Sequence, residues 1–424
     1  MEDIISLMIE AYYSALPSYK KMQDYYDGEH DILNEYQVKQ GHSNEKPIDN
    51  FIAKFVNEEC QYSLGNPLSY TSHSNNPDII DAIAHETFHW KDSHDAEVMK
   101  QLEIFGSCIL LWFTDIRDGV QRFNEKVLNP TNSIAYCDDS GKVQYLIHFY
   151  KKQFDDSTYY DIYYPDGHVE TFKDGGLIGS QKLIFNDVPA YVVSLDNPND
   201  TIYNRIKRLQ DAYNHVLADS TNIIGDYRNA ILKITGVAIP DEKITEVEQK
   251  LLHRSILNYG EGVNVEWLIK NVQDTFVENS LERLRVAMYE ATNHIDGNEK
   301  LQSNTSGTAL RNRLIFLEQR CDNIISVVID AVYERIIRLF KYIALKSNTV
   351  FDVKDIKINA TPNIPTDDAA MITALNQLGI GRNVSLQTAL SLLSFIENPK
   401  SEIETIKAEQ VESYDLDKIG GEAE

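Results

Sequence analysis

His85, Glu86 and His89 form the sequence H-E-x-x-H, whose residue types and spacing can support metal chemistry. On a helix, this spacing places two imidazoles on one face, one turn apart, where they can bind a zinc ion. The glutamate between them can then act as general base toward a metal-bound water. The motif raises a zinc-dependent metallopeptidase as one hypothesis for this chain.

The residues after the motif do not complete the extended zinc-peptidase pattern. Asp92 and Asp95 stand where that pattern has a glycine and a third histidine, and His94 is out of step by one. A third ligand would have to come from elsewhere on the chain, and the candidates are Glu97 and Glu103. The alternative interpretation is a solvent-exposed helix face that carries the motif, with Phe88 packed inward.

Other catalytic signatures do not occur in the sequence. It contains neither the phosphate-binding pattern G-x-x-x-x-G-K-[ST] nor the hydrolase pattern G-x-S-x-G, and its four cysteines include no C-x-x-C pair. The first pattern would be needed for an ATP-driven motor. We therefore predict that the chain is not an enzyme, that it has no catalytic or metal-binding residues, and that it needs no cofactor.

The charge balance limits the possible partners. Asp and Glu number 65 against 40 Lys and Arg, so the formal net charge is −25. Proteins that hold DNA tightly are usually basic, because they neutralise phosphates. This argues against a repressor, a nuclease or a motor that grips the duplex, yet it is compatible with a wall past which DNA slides. No stretch approaches the roughly 20 apolar residues of a membrane span, so no membrane partner is expected.

The segments that would carry these residues are helices around one β-rich block. Apolar spacing predicts helices in the first 60 residues and a helical stretch from about Pro77 to Phe105. Residues 107–195 contain short runs rich in Tyr, Phe, Ile and Val, separated by turn pairs such as Asp118-Gly119. They predict a mostly antiparallel β region inserted between helices.

The second half of the chain is predicted to hold a longer set of helices. Helices at about 201–227 and 271–294 flank two strands, at 229–239 and 262–270, with a short helix at 241–258 between the strands. From Thr308, apolar residues recur every three or four positions over 35–40 residues, which predicts a helix of about 55 Å. Such a helix suits a strut whose apolar stripe packs against identical neighbouring chains. The alternative interpretation is a coiled coil or a long core helix.

Five segments of the chain form an ordered set: FIAKFVNEECQYSLGNPLSYTS (51–72), FGSCILLWFTD (105–115), VPAYVVSLDNPND (188–200), DAYNHVLADSTNIIGDYRNAILKITG (211–236) and SGTALRNRLIFLE (306–318). Taken in this order, they resemble segments of phage portal proteins of the type found in long-tailed phages of Gram-positive hosts. The ordered set carries the resemblance, which extends from about residue 10 to 345. The last 80 residues match less clearly.

The resemblance implies an α+β, portal-type fold that assembles into a ring. In such a fold a helical wing carries a mostly antiparallel β region, and a two-helix stem, a small α/β clip, a long tunnel helix and a helical crown follow. Mapped onto this sequence, the parts are the wing (1–200), the stem helices (201–228 and 272–293), the clip (229–271), the tunnel loop (294–306), the long tunnel helix (307–346), the crown (347–412) and an acidic, disordered tail (413–424).

The resemblance also implies a function and partners. The ring, usually of about twelve subunits, would sit at one capsid vertex of a virion and be assembled in the host cytoplasm. Double-stranded DNA would pass through it, without sequence readout, during packaging and ejection. Expected partners are other copies of the chain, the terminase large subunit, the head-to-tail connector or adaptor, and the major capsid and scaffolding proteins.

Two groups of residues are expected to contact these partners. In the tunnel loop, Lys300, Gln302, Asn304 and Thr305 are predicted to touch the DNA backbone weakly. In the clip, the residues predicted to dock partners are Lys233, Glu261, Trp267 and Lys270. The competing interpretations are the zinc peptidase and a non-catalytic scaffolding or adaptor protein with a similar α+β plan.

Overall fold

The computed structural model describes residues 2–38, 42–226, 231–236, 262–268, 274–296, 307–363 and 368–393, with isolated positions between 240 and 407. The chain divides into two units, Met1–Pro362 and Asn363–Glu424. Within the described residues, no helix is long and apolar enough to cross a membrane.

Five helices open the first unit, and asparagines cap two of them. The Asn50 side chain accepts a hydrogen bond from the backbone N–H of Ala53, and Asn76 does the same for Asp78. These caps satisfy N–H groups that a helix leaves unpaired in its first turn. The helices are α1 (Glu2–Asp27), α2 (Ile32–Glu35), α3 (Phe51–Leu64), α4 (Pro77–Thr87) and α5 (His94–Phe105).

The single helical stretch predicted from about Pro77 to Phe105 was wrong in one respect, because the structure divides it into α4 and α5. The connection between them contains Trp90, whose indole N–H donates to the carbonyl of Phe123 at 3.3 Å. The Trp90 ring also stacks near Phe123 and lies 5.2 Å from the guanidinium of Arg335. These tertiary contacts outweigh the local helical pattern.

The β-rich block is confirmed as antiparallel. Its strands are β2 (Ser107–Arg117), β3 (Val120–Leu128), β4 (Ser133–Cys137), β5 (Val143–Tyr150), β6 (Tyr159–Tyr163), β7 (His168–Lys173), β8 (Gly176–Lys182) and β9 (Ala190–Ser194). They form a three-stranded sheet of order β3-β2-β9 and a five-stranded sheet of order β4-β5-β6-β7-β8.

Strand β5 is buried on both of its faces. Ile147 and Phe149 pack in a cluster with Met8 and Tyr12 of α1, and the Tyr12 ring stacks on Phe149 at 4.2 Å. On the opposite face, Leu146 joins a second cluster with residues of the three-stranded sheet. Successive side chains of a strand point to opposite faces. One face of β5 therefore packs against α1, and its other face packs against the three-stranded sheet.

Gly106 joins α5 to β2 at a position that only glycine fits. Its φ is +77°, and a Cβ atom there would lie 1.9 Å from the carbonyl oxygen of Pro198. The backbone of Leu195 also donates to the Gly106 carbonyl at 3.0 Å. The segment that contains Leu195 and Pro198 therefore packs directly against the C-terminal end of α5.

A pair of helices and a β-ribbon follow, as predicted for the region from 201 to 294. Helix α6 covers Ile202–Asp226 and helix α7 covers Asp274–Thr292. Between them in sequence, β10 (Ile231–Thr235) pairs antiparallel with β11 (Asn264–Leu268). The short helix predicted at 241–258 lies outside the described residues.

The long helix is confirmed as α8 (Gly307–Ser347), whose 41 residues correspond to about 60 Å. The expectation that its apolar stripe packs against identical neighbouring chains was wrong, and the alternative of a long core helix is confirmed. From Leu317 onward the stripe is buried within the same chain, and from Ile324 onward it belongs to the main core together with α3, α5 and β2. The physical reason is that α3, α5 and the sheets present matching apolar faces within the same chain. The stripe residues in this core include Ile324, Val328, Val332, Ile336, Leu339 and Ile343.

After α8 the chain adds one more strand to the first unit before it enters the second. Strand β12 (Ile356–Asn359) pairs antiparallel with β1 (Ser69–Ser72). The C-terminal unit begins at Asn363. Its two predicted amphipathic helices are present as α9 (Asp368–Leu378) and α10 (Leu386–Ser391). The predicted tail, 413–424, lies outside the described residues.

Candidate functional site: predicted contact residues and the charged anchors of the long helix

The H-E-x-x-H residues do not share one helical face. Helix α4 ends at Thr87, so His85 and Glu86 lie on the helix and His89 lies in the connection after it. Glu86 accepts a salt bridge from Lys346 at 2.7 Å. The Nε2 atom of His89 lies 3.0 Å from the side-chain oxygen of Asn124.

The geometry that zinc binding requires of this motif is therefore absent. The His85 side chain is 77% exposed, and Phe88, expected to pack inward, is itself 72% exposed. Among the residues that the structure describes, no group of three His, Cys, Asp or Glu side chains could hold a metal ion. The prediction that the whole motif lies on one helix was wrong, because the contacts of Trp90 end the helix before His89.

The residues predicted to touch DNA lie outside the described part of the chain. These are Lys300, Gln302, Asn304 and Thr305. The structure does describe both flanks of their loop, His294–Asp296 after α7 and the start of α8 at Gly307. The contacts that hold these two flanks in place are described below.

Two of the four predicted docking residues lie on the β-ribbon. Lys233 is on β10, in register with Glu266, and Trp267 is on β11, in register with Leu232. The ribbon brings these two positions to neighbouring rungs. The other two, Glu261 and Lys270, lie outside the described residues.

Helices α6 and α7 form an antiparallel pair that leads to this ribbon. Arg205, at the start of α6, donates to the carbonyl of Ala291, at the end of α7, at 3.0 Å. Arg205 also makes a two-pronged salt bridge to Asp200, at 2.6 and 2.9 Å, which lowers the pKa of Asp200. The base of the helix pair is thereby tied to the connection that precedes α6.

Arg320 of α8 anchors the same region from inside the core. Its Nε lies 3.0 Å from both carboxylate oxygens of Glu59 on α3, and its Nη2 lies 2.7 Å from Glu103 on α5. A longer contact of 3.7 Å reaches Asp200. His294, at the start of the predicted tunnel loop, lies 3.8 Å from Glu59. One guanidinium thus joins three helices and approaches the loop flank, and we call Glu59, Glu103, Arg320 and His294 the Arg320 cluster.

Burial dominates the ionisation of this cluster. It raises the pKa of Glu59 well above its ordinary value, and the nearby Glu103 carboxylate raises it further, against the opposing effect of Arg320. Burial also lowers the pKa of His294 to about 4. The imidazole is therefore neutral at pH 7.

Arg335, four turns further along α8, anchors the helix to the other end of the core. Its guanidinium donates to both oxygens of Glu125 on β3 at 2.7 Å, and to Asp95 on α5 at 2.6 Å. Glu125 also lies 2.8 Å from the Nε2 atom of His94 and accepts from the indole of Trp112 at 2.7 Å. We call Arg335, Glu125, Asp95 and His94 the Arg335 cluster.

In the Arg335 cluster the pKa of the buried glutamate is lowered, whereas in the Arg320 cluster it is raised. Burial alone would raise the pKa of Glu125, but the Arg335 charge and the hydrogen bonds from His94 and Arg335 lower it to about 2. Asp95 and His94 are each partly exposed, so water reaches this side of the cluster. The contacts of Glu125 therefore favour its ionised form.

Sequence analysis missed both clusters, although a signal was present. Arg320 and Arg335 each interrupt the apolar stripe of the long helix, Arg320 directly before Cys321 and Arg335 directly before Ile336. A charged residue on an otherwise apolar face must find buried partners. Which carboxylates provide them depends on packing between helices far apart in sequence, and the stripe does not specify those.

The comparisons with known proteins give one decisive match. The family "Phage portal protein, SPP1 Gp6-like" matches residues 6–414, nearly the whole chain. The chain belongs to this phage portal protein family. The portal family is one of structural proteins, and the match agrees with the resemblance found in the sequence. Among curated proteins, none matches the chain.

Solved structures of gene transfer agent (GTA) particles show a weaker likeness. The virion of the native particle has 12% identity and a TM-score of 0.43, over 77% of this chain and 83% of that one. The neck of the empty particle, computed with C6 symmetry, has 11% identity and a TM-score of 0.45, over 83% and 88%. The neck of the native particle, computed with C12 symmetry, has 12% and 0.44, over 81% and 89%. All three TM-scores lie below 0.5, and no inference rests on them.

Proposed function

We propose that this portal-family chain forms a ring of about twelve subunits at one capsid vertex of a virion, through which double-stranded DNA is packaged and ejected. The family match over residues 6–414 is the observation that carries this proposal. The net charge of −25 supports it, because an acidic channel wall repels phosphate and lets DNA slide without sticking.

In this proposal, the parts of the chain have separate tasks. The α6–α7 pair is the stem, the β10–β11 ribbon belongs to the clip, and α8 is the tunnel helix that connects the channel to the wing. The loop before α8 faces DNA through Lys300, Gln302, Asn304 and Thr305. Helices α9 and α10 belong to the crown.

The ring is tested by negative-stain electron microscopy and the mass of the purified chain in solution. We expect particles with a central hole and a mass near twelve times the 48.5 kDa of the chain. Rings arise from head-to-tail contacts that close on themselves, so the mass should reach a fixed upper limit as concentration rises. A chain that stays monomeric at high concentration, and also with its capsid and scaffolding proteins, would contradict the proposal.

The loop is tested by replacing residues 297–306 with a Gly-Ser segment of equal length. Packaging of DNA should fall while ring formation remains, because the segment lies outside the helices that hold the subunit together. The matched control is the same replacement in the β5–β6 loop, residues 151–157, which should leave packaging unchanged. Normal packaging with the altered tunnel loop would remove its proposed role.

The clip is proposed to dock the terminase large subunit and the head-to-tail connector, both of which would assemble with the ring in the host cytoplasm. Trp267→Ala and Lys233→Ala should weaken capture of these proteins by preformed rings. Glu261 and Lys270 are the further positions for substitution. Lys182→Ala, on the exposed strand β8, is the control and should bind both partners normally.

A further inference from the structure

The Arg320 cluster carries an unbalanced charge in the core. The side chains of Glu59 and Glu103 are each 0% exposed, and that of Arg320 is 7% exposed. If both carboxyls were ionised, one guanidinium would face two negative charges, and the buried site would have a net charge of −1. An uncompensated charge in such a place is strongly unfavourable, and the group normally changes its protonation state instead.

Among the residues that the structure describes, no neighbouring group supplies the missing positive charge. Asp200 adds a further negative charge at 3.7 Å from Arg320, although its own partner Arg205 balances it. Glu58 lies at the rim and pairs with Lys54 at 4.0 Å. The other titratable groups near the cluster, within the described residues, are Cys60 from α3, Lys100 from α5, His294 and Asp296 after α7, and Cys321 from α8. The Lys100 ammonium has its own partner, Glu97, at 3.7 Å.

His294 is poorly placed to carry the proton. Its ring stacks on Phe55 at 4.2 Å, and its Nδ1 lies 3.2 Å from the carbonyl of Thr292, to which it can donate. The other ring nitrogen, Nε2, is buried and lies 3.8 Å from Glu59 and 3.9 Å from Glu58, beyond hydrogen-bond distance. A protonated imidazole would leave that N–H without an acceptor.

The carboxyl pair has a place for a proton. The Oε1 atom of Glu103 is buried and has no hydrogen-bond partner among the residues that the structure describes. Its other oxygen accepts from Arg320, as do both oxygens of Glu59. A proton held between the two carboxyls would satisfy this oxygen and make the cluster neutral. The strong upward shift of the Glu59 pKa is consistent with this assignment.

We propose that Glu59 and Glu103 share one proton at neutral pH, and that this proton keeps the flank of the tunnel loop at His294 anchored against α3. At alkaline pH the proton passes to water, and a second negative charge remains beside Arg320. Opening of the anchor relieves that repulsion, so the loop flank loosens as the pH rises. Any effect of this anchor on DNA passage rests on the proposed function. The presence of the shared proton does not depend on that function.

The Arg335 cluster provides an internal control with the same residue types. It also contains one arginine, two carboxylates and one histidine, on the same helix. Here Asp95 and His94 reach solvent, and Glu125 accepts from Arg335 and Trp112 and lies within hydrogen-bond distance of His94. We therefore assign no shared proton to this cluster.

Infrared spectroscopy of the full-length chain tests the shared proton directly. The carbonyl stretch of a protonated buried carboxyl should be present at pH 7 in the wild-type protein and should disappear in both Glu59→Gln and Glu103→Gln. Glu125→Gln, in the control cluster, should leave the band in place. A wild-type protein without this band, or a band that survives both substitutions, would overturn the proposal.

Amide hydrogen exchange tests the link to the loop flank. Between the ordinary pKa of a carboxyl group and the raised pKa of the Glu59–Glu103 pair, opening of the loop flank releases the shared proton. The exchange rate of residues 288–296 should therefore rise by up to about tenfold per pH unit, in addition to the increase of the intrinsic exchange rate with pH. In Glu103→Gln that excess should vanish, because no proton is bound. An equal excess in both proteins would refute the coupling. Electron microscopy of the same samples separates this outcome from ring formation, since either can fail without the other.

Discussion

Replacing Arg320 by methionine should destabilise the chain by about 3–5 kcal/mol at pH 7, which is the usual result of removing one partner of a buried ion pair. Methionine keeps most of the side-chain volume, so the loss comes mainly from charge and hydrogen bonding. The structure allows the magnitude to be derived separately. Without the guanidinium, the second carboxyl of the Glu59–Glu103 pair must also bind a proton, because both side chains are fully buried.

The free energy of that second protonation follows from the pH. Each pH unit between the ordinary carboxyl pKa and pH 7 corresponds to about 1.36 kcal/mol, which gives about 3.5 kcal/mol in total. Protonation becomes easier in acid, so the destabilisation by Arg320→Met should shrink by about 2.7 kcal/mol between pH 7 and pH 5. The sign is fixed because the variant takes up one proton more on folding than the wild-type protein does.

The assay is urea unfolding at pH 7 and pH 5, followed by tryptophan fluorescence, because Trp90 and Trp112 report on the main core. The control is Lys341→Met, an exposed cation on the same helix, which should change stability by less than about 0.5 kcal/mol. A loss below about 1 kcal/mol for Arg320→Met at pH 7 would refute the reasoning. So would a loss that is the same at both pH values.

Three further substitutions follow from the same structure. Arg335→Met should also lower the free energy of unfolding by about 3–5 kcal/mol in urea. The Arg335 salt bridge helps to lower the pKa of Glu125 to about 2, so the stability that Glu125 contributes is present above its ordinary pKa of 4.5 and is lost as the pH falls toward 2. Glu125→Gln should therefore make stability less dependent on pH in that range. Ile336→Ala should cost about 2–5 kcal/mol in the same assay through the cavity it leaves, and a loss below 1 kcal/mol would mean that the stripe is not core. Gly119→Ala should lower stability by about 1–2 kcal/mol, since its φ is +76° in open space, whereas Gly106→Ala should lower it clearly more because of the Pro198 carbonyl; equal thermal shifts would contradict the close approach.

Local patterns in the sequence predicted most of the regular elements. The helix expected at about 201–227 is Ile202–Asp226, and the strand pair expected around 229–239 and 262–270 is β10 and β11. The long helix begins and ends within one residue of its predicted bounds. These predictions succeeded because apolar periodicity and turn residues act over a few neighbouring positions.

The predictions that failed depended on contacts distant in sequence. The helix through His89 is broken by the contacts of Trp90 with Phe123 and Arg335, which are 33 and 245 positions away. The stripe of the long helix was expected to face another chain, because periodicity shows that a face is apolar and not what covers it. The predicted wing, stem, clip and crown remain proposals.

The sequence by itself determined the family, the acidic charge and the order of helices and strands, since each of these is written in neighbouring residues or in composition. Only the tertiary structure decided that Glu59 on α3 and Glu103 on α5 meet one arginine 217 positions or more further along the chain. The physical reason is that a buried charge must be matched by groups brought to it by packing. Their identity depends on how three helices pack together, which the spacing along any one helix does not specify.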